Sequence, residues 1–510
     1  MKKLFVLLGV FCALCFVACS NFQLAGGDMG VVSLSIGDNL AREIRSAASL
    51  RSATGGSYTL TASIRGEYSD SQTVAVANGN YSGVTFTFEG VPVGKDIILD
   101  LTAKAGSNYI WYGNSGKHTV EQGENLLTIA LGRVSGVLMW DNSSVKIAPY
   151  GNYDFDNATG TGVPKVSPVW CVDKYGNVYV AQDTDVGTGG VRQNVIKADG
   201  SYSSLDYYNH AGKNFTGLTY DNTTRILYGI ENGDDGVKLR YAPAQGQDFK
   251  NVTKGVDAIV FSGDELGIAV STDSSANAVS FMYTASIIGE NDAGIPIIRI
   301  DRYSLSVNKQ GDSILSVENT DVKEGDGIQL RDNFGTAPTG QMIYHEGALY
   351  LLLRRVEIND ASNASEDFPA EHFSIGALVK INPTTLSLDT SFGNGGYLGL
   401  SSMKKNFTDL SALDGTSVAA VDFYGSGNDA STFYGPVGFV AIMPKKLVIA
   451  DAGFSMEQEG IKVNLTKKTR VITVDLETLA FETERVEDSY YQSEYPSSST
   501  AGYSYIVITN

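Results

Sequence analysis

The chain has 510 residues, with 38 Lys plus Arg against 57 Asp plus Glu and a formal net charge of −19. Such a surface repels phosphate backbones and anionic headgroups, which argues against nucleic acid as a partner and against a basic patch as a membrane anchor. Only four cysteines and 12 prolines accompany 56 glycines, 27 tyrosines and 21 phenylalanines, a balance that excludes a disulfide-stapled scaffold and points to an all-β chain of short strands between glycine turns.

Met1-Lys2-Lys3 precedes an uncharged apolar run from Leu4 to Ala18. A short basic head with an apolar core of this length predicts a secretion signal over residues 1–18. As a helix the core rises about 22 Å, short of the roughly 30 Å hydrocarbon layer, so it is no lasting membrane span. Phe16-Val17-Ala18-Cys19-Ser20 resembles the lipobox of bacterial lipoproteins. That resemblance implies cleavage before Cys19, lipidation of its thiol, and an extracytoplasmic protein held at a bacterial outer membrane, on its surface or its periplasmic face. Acyl chains there contribute roughly 0.8 kcal/mol per buried methylene. Cys12 and Cys15 leave with the signal, and Cys171, within the apolar run Val169-Trp170-Cys171-Val172, is expected to be a buried structural thiol. No intrachain disulfide then remains available.

Residues 19–30 form a polar, glycine-containing tether. Beyond it, Val31 to Ile36, Tyr58 to Ile64 and Val84-Thr85-Phe86-Thr87-Phe88 alternate with period two, as strands with one buried face do. Further strands are expected at Ile97 to Ala103, Tyr109 to Tyr112 and Asn125 to Leu131, whereas Leu40 to Arg45 is too short for a helical element. About seven short strands suit a two-sheet sandwich over residues 31–134. The early Val-Ser-Leu strand, Phe88-Glu89-Gly90-Val91-Pro92-Val93-Gly94 and Val120-Glu121-Gln122-Gly123-Glu124-Asn125 resemble the Ig-like or prealbumin-like domains of bacterial surface lipoproteins. The resemblance implies a stiff spacer. Trp111 and Tyr112 are its candidates for exposed aromatics that stack on a sugar, against the plainer reading that they fill a core.

Residues 135–510 repeat a turn followed by an apolar strand, at Asn177, Arg225, Glu265, Ser313, Ala348 and Lys446. Four gaps of about 35 to 48 residues bracket the spacing of a four-stranded propeller blade, and the last gap has room for another blade or an insertion. Val195-Ile196-Lys197-Ala198-Asp199-Gly200, Ala377 to Thr385 and Val471 to Thr478 are strands that end in outward turns. Such units bury their faces only by packing on neighbours, which predicts a six- or seven-bladed β-propeller closed by pairing Tyr503 to Ile508 with Gly136 to Trp140. A two-sheet sandwich or a parallel β-helix is the rival architecture. The blade cores resemble NHL-type bacterial propellers, and Leu378-Val379-Lys380-Ile381-Asn382 through Leu388 to Gly396 resembles the delta-60 repeat of bacterial surface proteins. The stretch from Asn359 to Phe373 reads as a solvent-facing insertion.

No dinucleotide fingerprint, phosphate loop, HExxH helix or GxSxG elbow is present. His118, His210, His345 and His372 are far apart in sequence and are expected to pack or face solvent. Asp183 and Asp185, with Glu231, Asp234 and Asp235, offer oxygens on glycine-flanked turns of the kind Ca²⁺ takes, without the spacing of an EF-hand. No cofactor is otherwise expected. Tyr202, Tyr207, Tyr208 and His210 cluster on one connection and form the candidate binding loop; Tyr490, Tyr491 and Tyr495 form another. The sequence favours a non-enzymatic, lipid-anchored binding or interaction protein with a protein or glycan ligand. A polysaccharide-acting hydrolase or lyase, and a component of an outer-membrane assembly, are the alternatives.

Overall fold

A computed structural model of the chain describes residues 29–36, 58–76, 83–105, 108–133, 136–140, 145–149, 159–160, 166–172, 177–182, 190–196, 202–209, 214–233, 236–243, 248–254, 257–261, 265–272, 280–292, 295–310, 313–331, 342–358, 372–400, 432–433, 436–459, 462–485 and 506–508. The regular structure in them is all β, with no helix among the described residues. The expected signal, Cys19 and the expected tether up to residue 28 lie outside these ranges, as does the segment from Leu40 to Arg45.

Two sheets arise from residues 29–133. In one, Met29–Ser35 lies between Thr85–Pro92, antiparallel to it, and Gly123–Leu126, parallel to it. In the other, Asp70–Val76, Tyr58–Gly66, Asp96–Ala105, Asn108–Thr119 and Ala130–Arg133 pair in that order, all antiparallel. The period-two patterns are obeyed: Phe86 and Phe88 are buried while Thr85 and Thr87 face out. These phenylalanines share one core with Val32 and Leu34 on their own sheet and with Leu60, Leu99 and Leu101 on the other. Each sheet has one apolar face, and burying the two against each other removes both from water.

Trp111 and Tyr112 are both buried, which corrects the possibility that they are exposed sugar-stacking aromatics. Successive strand residues point to opposite faces. Trp111 therefore enters the shared core, while Tyr112 faces the other way and is covered by the second region of the chain.

From Gly136 onward the described residues form six sheets, each built around a four-stranded antiparallel path. Sheet one joins the C-terminal strand Ile506–Ile508 to Gly136–Trp140, followed by Val145–Pro149 and Thr159–Gly160. This is the pairing of chain ends expected from the sequence. Sheet two comprises Val166–Val172, Asn177–Gln182, Gly190–Ile196 and Tyr202–Asn209; sheet three comprises Asn214–Asp221, Ile226–Gly233, Gly236–Ala242 and Lys250–Asn251. Sheet four has Glu265–Thr272, Ser280–Glu290, Pro296–Gln310 and Ser313–Glu324, with short strands added at its margin. Sheet five has Met342–His345, Ala348–Ile358, His372–Ile381 and Tyr397–Leu398; sheet six has Pro436–Met443, Lys446–Glu459, Lys462–Asp475 and Phe481–Arg485.

The repeat seen in the sequence is real but mixed in rank. The marks at Asn177, Arg225, Ala348 and Lys446 open or immediately precede the second strand of a sheet, whereas Glu265 opens the first strand of sheet four and Ser313 its last. A turn followed by an apolar run specifies a strand and not its position in a sheet.

The apolar clusters lie between sheets. One joins Tyr179 and Val191 of sheet two to Phe215 and Leu227 of sheet three. The next joins Tyr228 and Leu239 to Met282 and Leu305 of sheet four. Ile298 and Ile300 of sheet four then pack with Leu351 and Val379 of sheet five, and Leu352 and Leu378 with Leu447 and Ile472 of sheet six. The first strands of sheets two to five touch in succession, and that of sheet six touches the C-terminal strand of sheet one. Across this series the Trp170 indole of sheet two donates to the Phe439 carbonyl of sheet six at 2.8 Å.

Candidate functional site

Three turns share one construction. At Asp221, Asn382 and Asp475 a side-chain oxygen accepts from the amides two and three residues on, at 2.8–3.2 Å. The amide four residues on donates back to the carbonyl of that first residue at 2.7–2.8 Å. This is the way Asx side chains satisfy turn amides. The fifth residue takes a positive φ, 61° at Arg225, 66° at Leu386 and 57° at Leu479. A glycine would be easier there, but Leu386 and Leu479 each pack an apolar cluster, and that burial offsets the backbone cost.

In an antiparallel meander, the turns joining strands one to two and three to four fall at the same end. In sheets five and six these are the turns at Glu346-Gly347, Asn382-Pro383, Lys445 and Leu476-Glu477, and they enclose a cleft of about 280 Å³. Lys445 Nζ lies 3.1 Å from Glu346 Oε2 and 3.1 Å from Glu477 Oε1, so one ammonium joins the two sheets. Its backbone amide also donates to Glu346 Oε1 at 3.1 Å. Burial by itself would lower the Lys445 pKa, but the hydrogen bonds to Glu477 and Glu346 outweigh it and hold the ammonium above its ordinary value.

On the opposite wall Lys380 Nζ is 3.1 Å from Asp389 Oδ2. Ser391 donates both its amide and its hydroxyl to Asp389 Oδ1; these bonds and the Lys380 ammonium hold the carboxyl below its usual range. Tyr350 forms part of the apolar floor, edge-on to Phe392 with ring centroids 5.9 Å apart. Its burial, then the charges of Glu346, Asp389 and Glu477, push the phenol up, so Tyr350 keeps its proton.

His345 sits behind Glu346, with Nε2 3.8 Å from Glu346 Oε1, and that nitrogen has no hydrogen-bond partner among the described residues. Burial lowers its pKa to about 4 against the opposing pull of Glu346 and a hydrogen bond with the Met443 backbone. The folded state thus takes up the proton at lower pH than the unfolded chain, whose histidine titrates near 6.5. His345 contributes stability that is full above about pH 6.5 and is lost as the pH falls toward about 4. Between pH 7 and pH 5 the loss from this one group is expected to be about 2 kcal/mol. Urea unfolding of the wild type and His345→Gln at both pH values checks it. The wild type should lose about that much more than the variant on acidification, and equal losses would refute the assignment.

Tyr202, Tyr207 and Tyr208 lie on the strand Tyr202–Asn209 at the edge of sheet two, which corrects their placement on a loop. Val191 pairs with Tyr208 and Arg192 with Asp206, so a bulge falls at Tyr207. Tyrosine favours strands, and the aromatic run that read as a connection is an edge strand instead. Glu231 is buried, with both carboxylate oxygens taken by Arg240 at 2.9 and 3.0 Å, which removes it from the oxygen set expected for Ca²⁺. Asp183, Asp185, Asp234, Asp235 and His210 lie outside the described residues, as do Tyr490, Tyr491 and Tyr495. Among the described residues no group of three or more His, Cys, Asp or Glu is placed to hold a metal ion. His118 hydrogen-bonds to Asn125 at 3.0 Å, and Cys171 is half-buried and in no disulfide.

Several cleft residues lie in segments the sequence marked as repeats, Lys380 to Pro383 and Asp389 in the delta-60-like stretch and Leu476 and Glu477 in the turn after Val471, but none was marked there as a binding residue. A signal that would have found the turns is their shared sequence: Asp221-Asn222-Thr223-Thr224-Arg225, Asn382-Pro383-Thr384-Thr385-Leu386 and Asp475-Leu476-Glu477-Thr478-Leu479 align without gaps.

A search of curated proteins returns no match to this sequence. Among solved structures, the chain is similar to one titled as a protein from Lactobacillus plantarum, at 9% identity over 69% of this chain and 95% of that one, with a TM-score of 0.31. Residues 341–500 match the family model described as the TdpA C-terminal domain. That stretch is less than a third of the chain, and it contains every residue lining the cleft.

Proposed function

We propose that this chain is a lipid-anchored, extracytoplasmic binding protein, and that its cleft takes a neutral, polyhydroxylated ligand of the glycan class. The lipid and the compartment rest on the basic head, the apolar core and Cys19. In this reading residues 31–134 are an Ig-like sandwich and residues 135–510 a six-bladed propeller. Cores shared between consecutive sheets, the antiparallel pairing of Ile506–Ile508 with Gly136–Trp140, and the Trp170 bond to Phe439 support the ring. NHL-type or delta-60-like ancestry for its blades remains a resemblance of the sequence.

The observation that carries the ligand class is the internal pairing of the charges in the cleft. Lys445 faces Glu346 and Glu477, and Lys380 faces Asp389, all at 3.1 Å. A charged ligand would have to break one of these pairs and leave a charge uncompensated. Hydroxyl groups need break none, because a carboxylate oxygen has lone pairs for further donors and Tyr350 and the lysines offer protons. Apolar edges from Leu476 and Pro383 suit the faces of a sugar ring.

The test is retention on a glycan array by the full chain and by Glu477→Gln and Lys380→Met. A neutral glycan should be retained without turnover, and each substitution should weaken it about tenfold, as loss of a hydrogen bond to a charged group does. Unchanged affinity in both variants would exclude the cleft. Release of shortened sugars from a polysaccharide would replace the binding reading with a hydrolase or lyase.

A further inference from the structure

Sheets five and six line the cleft, and the N-terminal region abuts the turn that carries Glu477. Arg65, on the strand Tyr58–Gly66 of the N-terminal region, donates from Nε to Asp100 Oδ2 at 2.6 Å and from Nη2 to Asp475 Oδ2 at 2.5 Å. Asp100 belongs to Arg65's own region and Asp475 to the turn of sheet six that carries Glu477. The Asp475 side chain is 1% exposed and that of Asp100 13%, so these are not surface ion pairs screened by water.

Around this bridge the fit is close. Asp100 Oδ1 accepts from the Tyr112 hydroxyl at 2.5 Å and from Asn114 Nδ2 at 2.8 Å. Lys446, next in sequence to Lys445, places Nζ 4.9 Å from the Tyr112 ring centroid. Gly116 lies against the cleft itself: a Cβ there would stand 3.7 Å from Glu477 Oε1 and 4.0 Å from Lys445 Cε.

We propose that the N-terminal region is a positioning element of the cleft, in which Arg65 pins the Asp475 carboxylate and thereby fixes the turn that presents Glu477 to Lys445. Asp475 divides its two oxygens between these tasks. Oδ1 accepts from the amides of Glu477 and Thr478 at 2.9 and 2.8 Å, and Oδ2 accepts from Arg65. The equivalent turn at Asn382 shows that an amide oxygen suffices for the first task. A carboxylate is needed only for the second. At the third copy, Asp221, Oδ2 instead accepts from the Ser280 hydroxyl at 2.6 Å, so the second oxygen of this turn serves as an anchor to a neighbouring element in both copies that have one.

The bridge stands whether or not the ligand is a glycan; only the consequence for binding rests on the proposed function. The experiment is hydrogen exchange on the full chain for wild type, Arg65→Met, Asp475→Asn and the double variant. Arg65→Met should speed exchange of the Glu477 and Thr478 amides about ten- to a hundredfold, the change that corresponds to a charge-assisted hydrogen bond. The amides of Thr384 and Thr385 in the Asn382 turn should not change, and protected amides at Leu99 and Leu101 report whether the N-terminal core has remained folded. In the Asp475→Asn background, adding Arg65→Met should have little further effect, because the partner charge is already gone. Unchanged exchange at Glu477 and Thr478 in Arg65→Met would overturn the proposal, and so would an equal effect of that substitution in both backgrounds. Faster exchange together with unchanged glycan retention would leave the positioning role standing and remove the ligand reading of the cleft.

Discussion

Gly376→Ala is expected to destabilise the protein by about 3 kcal/mol or more, the upper part of the range for overpacked cores. Gly376 lies on His372–Ile381, where sheet five approaches the first strand of sheet six. A Cβ at this position would stand 2.0 Å from Pro436 Cδ, 2.4 Å from its Cγ and 2.8 Å from the Leu353 carbonyl oxygen. A flexible side chain could swing away, but the proline ring is locked to its backbone and the carbonyl belongs to the paired strand. Relief therefore needs two sheets to separate, which opens the cluster in which Leu378, Leu447 and Ile472 meet. Gly289→Ala is the control, since a Cβ there meets nothing within 4 Å. Its urea midpoint should equal or slightly exceed that of the wild type. A Gly376→Ala midpoint equal to the wild type at unchanged slope would show that the sheets are not held as closely as the geometry requires.

The same close approach shows what the sequence made legible and what it left hidden. Thr85 to Phe88 announced its strand and its buried face, because alternation is a local property with one physical cause. The pairing of the C-terminal strand Ile506–Ile508 with Gly136–Trp140, which begins the repeat region, was legible because an unpaired edge is costly and both segments were apolar. Strand rank was not legible: Ser313 and Ala348 follow similar turns yet open the last strand of one sheet and the second strand of the next. Tyr202 to Asn209 read as a connection because its bulge at Tyr207 breaks the alternation on which the strand assignment depends. Nothing in the sequence joined Arg65 to Asp475, since an ion pair between residues so distant leaves no pattern in either neighbourhood. Folding brings the turns that begin at Asn382 and Asp475 to one cleft, a meeting that no local pattern records.

Replacing the ion-pair partner of Glu231 should produce the second large effect. Glu231 lies on Ile226–Gly233 and reaches diagonally to Arg240 on the adjacent strand Gly236–Ala242. The guanidinium grips both carboxylate oxygens, at 2.9 and 3.0 Å, and sends Nη1 to Asn251 Oδ1 at 2.5 Å. The two side chains are 3% and 16% exposed, so the pair is withdrawn from solvent. Arg240→Leu leaves a carboxylate in that site with its bidentate partner gone, and the expected loss is about 3–5 kcal/mol. The double variant Glu231→Met, Arg240→Leu removes the stranded charge and should recover most of that loss, because two apolar groups of similar volume can replace a buried pair at little cost. Urea unfolding of the two variants separates the terms. If Glu231 served a cation instead, added Ca²⁺ would stabilise the wild type by mass action, and Arg240→Leu, which frees both oxygens, would strengthen that response. An ion-paired Glu231 predicts no shift of the wild-type midpoint with Ca²⁺ and a double variant more stable than Arg240→Leu alone.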